Sequence, residues 1–188
     1  MRCSSDQFAK RFATEIQQYH PLLVPGLLQT EEYAKATIRA GNRTVSADEL
    51  AARAAERVER QQVLQREPDP PFLLVVICET VLQRPLGSVQ IMRKQLEHLH
   101  KASYWDNVEI LVVPHPTWNH PGLDGGFRLL RLPGAGTVLY LETRATGGIF
   151  IDSATVDEHV SLLGDLRGAA LPPDQSRTLI ERARGEFS

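Results

Sequence analysis

The sequence predicts an α+β fold: a helical N-terminal layer packed on a mixed β-sheet of about 4–5 strands, with C-terminal helices. Three observations predict it. From about residue 5 to 66, apolar residues recur at helical spacing between start and stop signals. From about 72 to 151, short apolar runs rich in branched residues have the pattern of buried strands. From about 153 to 185 the helical spacing returns. The chain has 188 residues, 42% of them hydrophobic, enough for a single domain with a sizeable core.

Taken in order, Phe8, Phe12, Ile16 and Tyr19, beside Ala9 and Ala13, predict a helix over 5–19 that Pro21 ends. Leu22 to Gln29 is apolar but interrupted by Pro25-Gly26, which predicts a packed turn where Gly26 holds a backbone angle that other residues resist. Thr30 caps a helix to about Ala40, with Glu31 and Glu32 facing the positive end of its dipole. Gly41-Asn42 stops it. Ser46-Ala47-Asp48-Glu49 is a capping box, and the helix it opens runs to about Arg66, before Pro68-Asp69-Pro70-Pro71. Phe72 to Cys78 and Val108 to Val113 are buried strands. Between them Ser88 caps a helix with Val89, Met92, Leu96 and Leu99 on one face. Phe127 to Leu132 and Thr137 to Leu141 flank Pro133-Gly134-Ala135-Gly136 as a hairpin, and Ile149 to Ile151 is a short edge strand. A helix near 155–167 carries Val156, Val160, Leu163 and Leu166, and a last one opens at Pro172-Pro173, where proline suits a first turn.

Composition narrows the function. Net charge is -2, whereas a protein that grips nucleic acid usually carries a basic surplus. Of the 21 basic residues 17 are Arg, the bias of a GC-rich genome rather than a sign of Arg-specific recognition. The two cysteines, Cys3 and Cys78, form no C-x-x-C and no metal-finger spacing, and Cys78 reads as a small buried hydrophobe. The N-terminus lacks the apolar core of a signal peptide, and no apolar run approaches the roughly 18 residues that span a bilayer. The expected location is cytoplasmic, without membrane association.

The strand–helix–strand order of 72–113 predicts a parallel β-α-β unit whose strand ends share one sheet edge. Glu79 then meets the loop His115-Pro116-Thr117-Trp118-Asn119-His120, and Glu142 returns to the same edge from the hairpin. Ligands of open sheets favour the crevice beyond such ends. Glu79 is the first candidate for acid–base work, with His115 and His120 second; the plainer alternative for Glu79 is a structural pair with an arginine such as Arg84. Trp118, Tyr140 and Phe127 are candidate walls. Arg57, Arg60 and Gln61 share a helix and suit an anion, although such side chains more often tie loops or lie in solvent. His115 and His120 with Asp124 or Glu142 lack any metal-site spacing, and His98 and His100 sit two apart on a helix, so no metal and no cofactor is expected. There is no phosphate-cradling Gly-rich loop, no G-x-S-x-G and no H-E-x-x-H.

Read together, several phrases carry more than any one site. Val24-Pro25-Gly26-Leu27-Leu28-Gln29-Thr30-Glu31-Glu32-Tyr33-Ala34 resembles the most recognisable stretch of an uncharacterised domain common in actinobacteria. Arg57-Val58-Glu59-Arg60-Gln61-Gln62-Val63-Leu64 resembles its R-x-x-R-Q-x-x-L, and Glu79 to Gly87 its acidic, leucine, arginine and glycine block. Val112-Val113-Pro114, His120-Pro121-Gly122 and Val138 to Glu142 also fit, and the resemblance spans about 7–182. That domain usually follows an XRE-type helix-turn-helix head in regulators of development and antibiotic production. This sequence shows no such head, so the resemblance implies an effector-like domain without direct sequence-specific DNA binding. It would bind a small molecule or a small regulatory protein and serve regulation or secondary metabolism. The alternative is a stand-alone, cofactor-free biosynthetic enzyme for condensation or cyclisation, with a pocket Glu or His as acid and base. The oligomeric state is left open.

Overall fold

The computed structural model describes residues 12–117, 120–142 and 147–187. Its centre is a six-stranded mixed sheet of order β3-β2-β1-β4-β5-β6. The strands are β1 (Glu15–His20), β2 (Phe72–Cys78), β3 (Val108–Val113), β4 (Phe127–Leu132), β5 (Gly136–Glu142) and β6 (Gly147–Phe150). β1, β2 and β3 are parallel, while β4, β5 and β6 continue the sheet antiparallel. The α+β class stands, and β1 takes the sheet beyond the four or five strands expected.

That first strand corrects the expected helix over 5–19: residues 15–20 are extended, and residues 5–11 lie outside the described residues. The spacing of Ile16 and Tyr19 fits one helix face, but it equally puts the two on opposite faces of a strand. Both are fully buried, Ile16 under the first-face helices and Tyr19 in the core of the second face. A strand paired on both edges and buried on both faces gains more than a marginal helix would, so tertiary context overrides the periodicity.

The first face is covered by α1 (Glu31–Gly41), α4 (Val89–Ala102) and α6 (Pro173–Glu186), with α2 (Ala47–Glu59) packed on α1 through Ala54 against Ala34 and Ile38; the short α3 (Thr80–Gln83) follows β2. Their packing rests on Leu28, Tyr33, Leu82, Met92, Leu96, Leu99 and Ile180 against Ile16, Leu73, Val75, Ile77, Ile110 and Val112. α5 (Ser153–Ala169) covers the second face with Val156, Leu163 and Leu166, against Leu74, Val76, Leu111, Leu129 and Leu139. Thr30, Ser46 and Ser88 cap α1, α2 and α4 through their side-chain oxygens, as their positions predict. The expected helix to Arg66 tightens to a 3-10 turn over Arg60–Gln65. Leu27 and Leu28 are buried in the Gly26–Leu28 turn, but Gly26 does not adopt a positive φ, and an added Cβ would meet only Arg57 at ordinary contact distance, 3.8 Å. The expected special angle at Gly26 is therefore corrected.

The β3 edge of the sheet is covered by the link into α6. Val112 N–H donates to Ser176 Oγ (3.0 Å), and Leu171 N–H donates to Val112 O (2.9 Å). At Val112 these bonds occupy the outward backbone groups that an edge strand otherwise offers to another chain.

Candidate functional site

β1, β2 and β3 end at His20, Cys78 and Val113, β4 starts at Phe127 beside that edge, and β5 returns to it at Glu142. The expected meeting edge therefore exists, but the sheet divides its residues. By strand alternation Gln18, His20, Arg128, Tyr140 and Glu142 lie on the first face, and Tyr19, Cys78 and Phe127 on the second.

On the first face a polar row crosses three strands. Gln18, Arg128 and Tyr140 are direct cross-strand neighbours. Arg128 is 8% exposed and Gln18 4%, unusually low for such side chains. Arg128 Nε donates to Gln18 Oε1 (3.3 Å), and its guanidinium carbon lies 5.3 Å from the Tyr140 ring centroid, a cation–π contact. The Tyr140 ring runs towards the strand-end edge, where Gly147 leaves room: a Cβ there would fall 2.2 Å from the Tyr140 hydroxyl. Two residues beyond Gln18, His20 Nδ1 accepts from Leu22 N–H (3.4 Å) and Leu23 N–H (3.2 Å). Burial, helped by the charge of Arg128, lowers its pKa to about 4, so the ring is neutral at physiological pH with its proton on Nε2. From the helical side, Arg57 Nη1 donates to the buried Gln29 (3.0 Å). Burial lowers the Arg57 pKa and nearby Arg60 adds to it, while Glu142 pulls the other way. The result is a partly buried, mostly cationic group of side chains with one carboxylate.

The second face holds a closed ring of hydrogen bonds. Tyr19 O–H donates to Gly122 O (3.0 Å), and its oxygen lies 3.2 Å from Cys78 Sγ, where it accepts the thiol proton. His120 Nδ1 accepts from Gly122 N–H (3.3 Å), which leaves the ring proton on Nε2, 3.9 Å from Cys78 Sγ. With its lone pair turned to Gly122, His120 offers Cys78 no base and no free metal-binding nitrogen. Burial, then the Cys78 bond, raises the Tyr19 pKa far above its ordinary value, so the phenol stays protonated. This ring pins the loop to β1 and β2. Phe127 packs here, 6.0 Å from Tyr19 and 5.1 Å from His159 by ring centroids, and so is not a wall of the first-face site.

Glu79 does meet the loop. Its Oε2 accepts from His115 N–H (2.7 Å) and its Oε1 from Gln83 Nε2 (3.2 Å), which makes it the tie of the loop's near end. His115 itself is exposed, and Trp118 lies outside the described residues. Gln61 Nε2 donates to Gly26 O (3.2 Å) and Gln29 O (2.6 Å), and Arg60 pairs with Glu56 (3.4 Å), so these two tie and flank the turn. Arg84 is exposed beyond α3, near enough to Tyr33 for its charge to act there. Among the described residues no three His, Cys, Asp or Glu side chains group as a metal site.

Sequence reasoning missed Gln18, His20 and Arg128. The available signal was the pair Gln18 and His20, two apart and hence on one face of a strand, which the helical reading of that segment concealed. A separate open groove of about 520 Å³ lies between α5, α6 and β3, lined by Glu109, Leu111, Gly164, Arg167, Leu171 and Pro172 among others.

Residues 9–182 match the model of a domain of unknown function, DUF5753, and the chain belongs to that family. No curated protein and no solved structure matches the chain. No helix among the described residues is long and apolar enough to cross a membrane.

Proposed function

We propose that this chain is a small-molecule-binding, effector-like domain, with its ligand seated on the first face at the strand-end edge. The observation that carries the reading is the buried row Gln18–Arg128–Tyr140, bordered by neutral His20 and by Arg57 and Glu142. A few convergent polar groups at a sheet edge, beside an aromatic ring, are what a ligand site needs. The resemblance to regulators with an XRE-type head supports a role in regulation or secondary metabolism in the cytoplasm, with a small regulatory protein as a further partner. Acid–base catalysis by Glu79 has less support, because both its carboxylate oxygens already hold the loop and the adjoining helix.

Native mass spectrometry of the purified protein, followed by extraction, tests this. A retained small molecule should be weakened by Arg57→Met and untouched by Arg167→Gln in the groove. Loss with Arg167→Gln and retention with Arg57→Met would move the site to the groove and overturn the reading.

A further inference from the structure

We propose that the open edge of the sheet, β6, takes an extended segment of a partner protein as a further strand, apolar where it crosses Phe150 and Ile151 and basic where it passes the start of α5. The proposal depends on the sheet edge alone, so it stands or falls separately from the small-molecule site.

The two edges of the sheet are finished differently. At β3, Ser176 and Leu171 hold the outward N–H and C=O of Val112. β6 has no such cover. The strand order ends there, and the backbone of Gly147 to Ile151 has no hydrogen bond to any described residue outside β5. Which of its groups face out follows from the registers. Phe72 N–H donates to Thr14 O (3.0 Å), so the even-numbered residues of β1 turn their backbone groups to β2 and the odd-numbered ones to β4. Carried through the pairs Glu15–Arg131, Arg128–Tyr140 and Leu141–Gly148, this parity bonds Gly148 and Phe150 to β5. Gly147 and Ile149 then turn both N–H and C=O outward.

Charge, proline or a bulge would blunt such an edge, and Gly147-Gly148-Ile149-Phe150 carries none of them. Instead Phe150 and the following Ile151 are 42% and 78% exposed. Unpaired backbone groups beside exposed apolar side chains are what strand addition uses: the main chain supplies the bonds and the side chains the selectivity.

Charge decides what fits. Directly past Ile151 come Asp152, Asp157 and Glu158, all exposed. Asp152 caps α5 through Thr155 N–H (3.3 Å), and among the described residues none of the three acids has an ion-pair partner. A second copy of this chain, paired antiparallel about a two-fold axis, sets its Gly147 end against these acids, and Glu142 lies beside that end. Like charges meet in that arrangement. A segment with Lys or Arg at this point brings the opposite sign.

Amide exchange followed by NMR tests this with two synthetic peptides of alternating Val and Thr, one ending in a pair of Lys and the other in a pair of Glu. The Lys peptide should slow exchange at Gly147 and Ile149 roughly 10-fold or more, the effect of closing their hydrogen bonds, and leave Gly148 and Phe150 little changed. The Glu peptide should have no effect. Ile149→Pro removes an outward N–H at a position where an edge strand tolerates proline, and should abolish the protection at Gly147. Asp157→Lys, at an exposed helix position, keeps the fold and should weaken the Lys peptide several-fold. No slowing with the Lys peptide, or equal slowing with both peptides, overturns the proposal. Slowing without peptide that grows with protein concentration, together with a dimer mass in analytical ultracentrifugation, gives the edge to a second copy and overturns it too.

Discussion

His20 accepts two backbone amides and sits beside Arg128, so protonating it sets a second positive charge in a dry place. Its pKa falls from 6.5 to about 4, and the unfolded chain therefore takes up the proton first as the pH drops. Stability contributed by the neutral ring is intact above about 6.5 and is lost between 6.5 and 4, at up to about 1.4 kcal/mol per pH unit. Asn offers the two amides an acceptor but does not titrate. His20→Asn should remove close to one proton from the pH slope of denaturant-measured stability in that window, leaving the part due to His98, whose pKa burial also lowers. An unchanged slope would place His20 in water. Gly122 is a second residue whose role is steric: a Cβ there would lie 2.3 Å from the Tyr19 hydroxyl and ring. Gly122→Ala should cost about 1–3 kcal/mol by overpacking and loosen the Tyr19–Cys78–His120 ring, read by urea denaturation. Of these residues, His120 and Glu142 were legible in the sequence as members of the strand-end edge. Gln18 and His20 were not, because their meaning depends on the alternation of a strand that the sequence disguises.

At the scale of elements, caps and turns were the most legible. Thr30, Ser46 and Ser88 act locally, through hydrogen bonds to backbone amides three residues on, so the chain itself carries the signal. β1 was illegible for the opposite reason. It exists because Phe72 to Cys78 and Phe127 to Leu132 pair with its two edges, one of them more than fifty residues away and the other beyond a hundred. The β3 edge depends on Ser176, a fully buried side chain that accepts from Val112 N–H and donates to Leu171 O (3.0 Å). Ser176→Ala leaves both backbone groups short of a partner, and should cost about 1–3 kcal/mol. Amide exchange at Val112 should accelerate with it. Unchanged exchange at Val112 would show that the link from α5 to α6 covers the edge without that hydroxyl.

For the whole molecule, the β-α-β unit of β2, α4 and β3 was the legible frame, since two continuous apolar runs around a capped helix admit few other arrangements. It correctly brought Glu79 to the 115–120 loop. What it missed is that a sheet has two faces: Phe127 and His120 went to one, Tyr140 and Glu142 to the other. With a net charge of -2, the chain alone should give no sequence-specific gel shift on any operator; a salt-sensitive shift on a defined sequence would contradict this. The central claim is that a small molecule occupies the first face at the strand-end edge. A crystal structure of the protein as purified from its producing cells tests it most directly. The account predicts ligand density on the first face at the strand-end edge, beside Gln18, Arg128 and Tyr140; ligand density in the groove between α5 and α6, or on the second face beside Cys78, would contradict it.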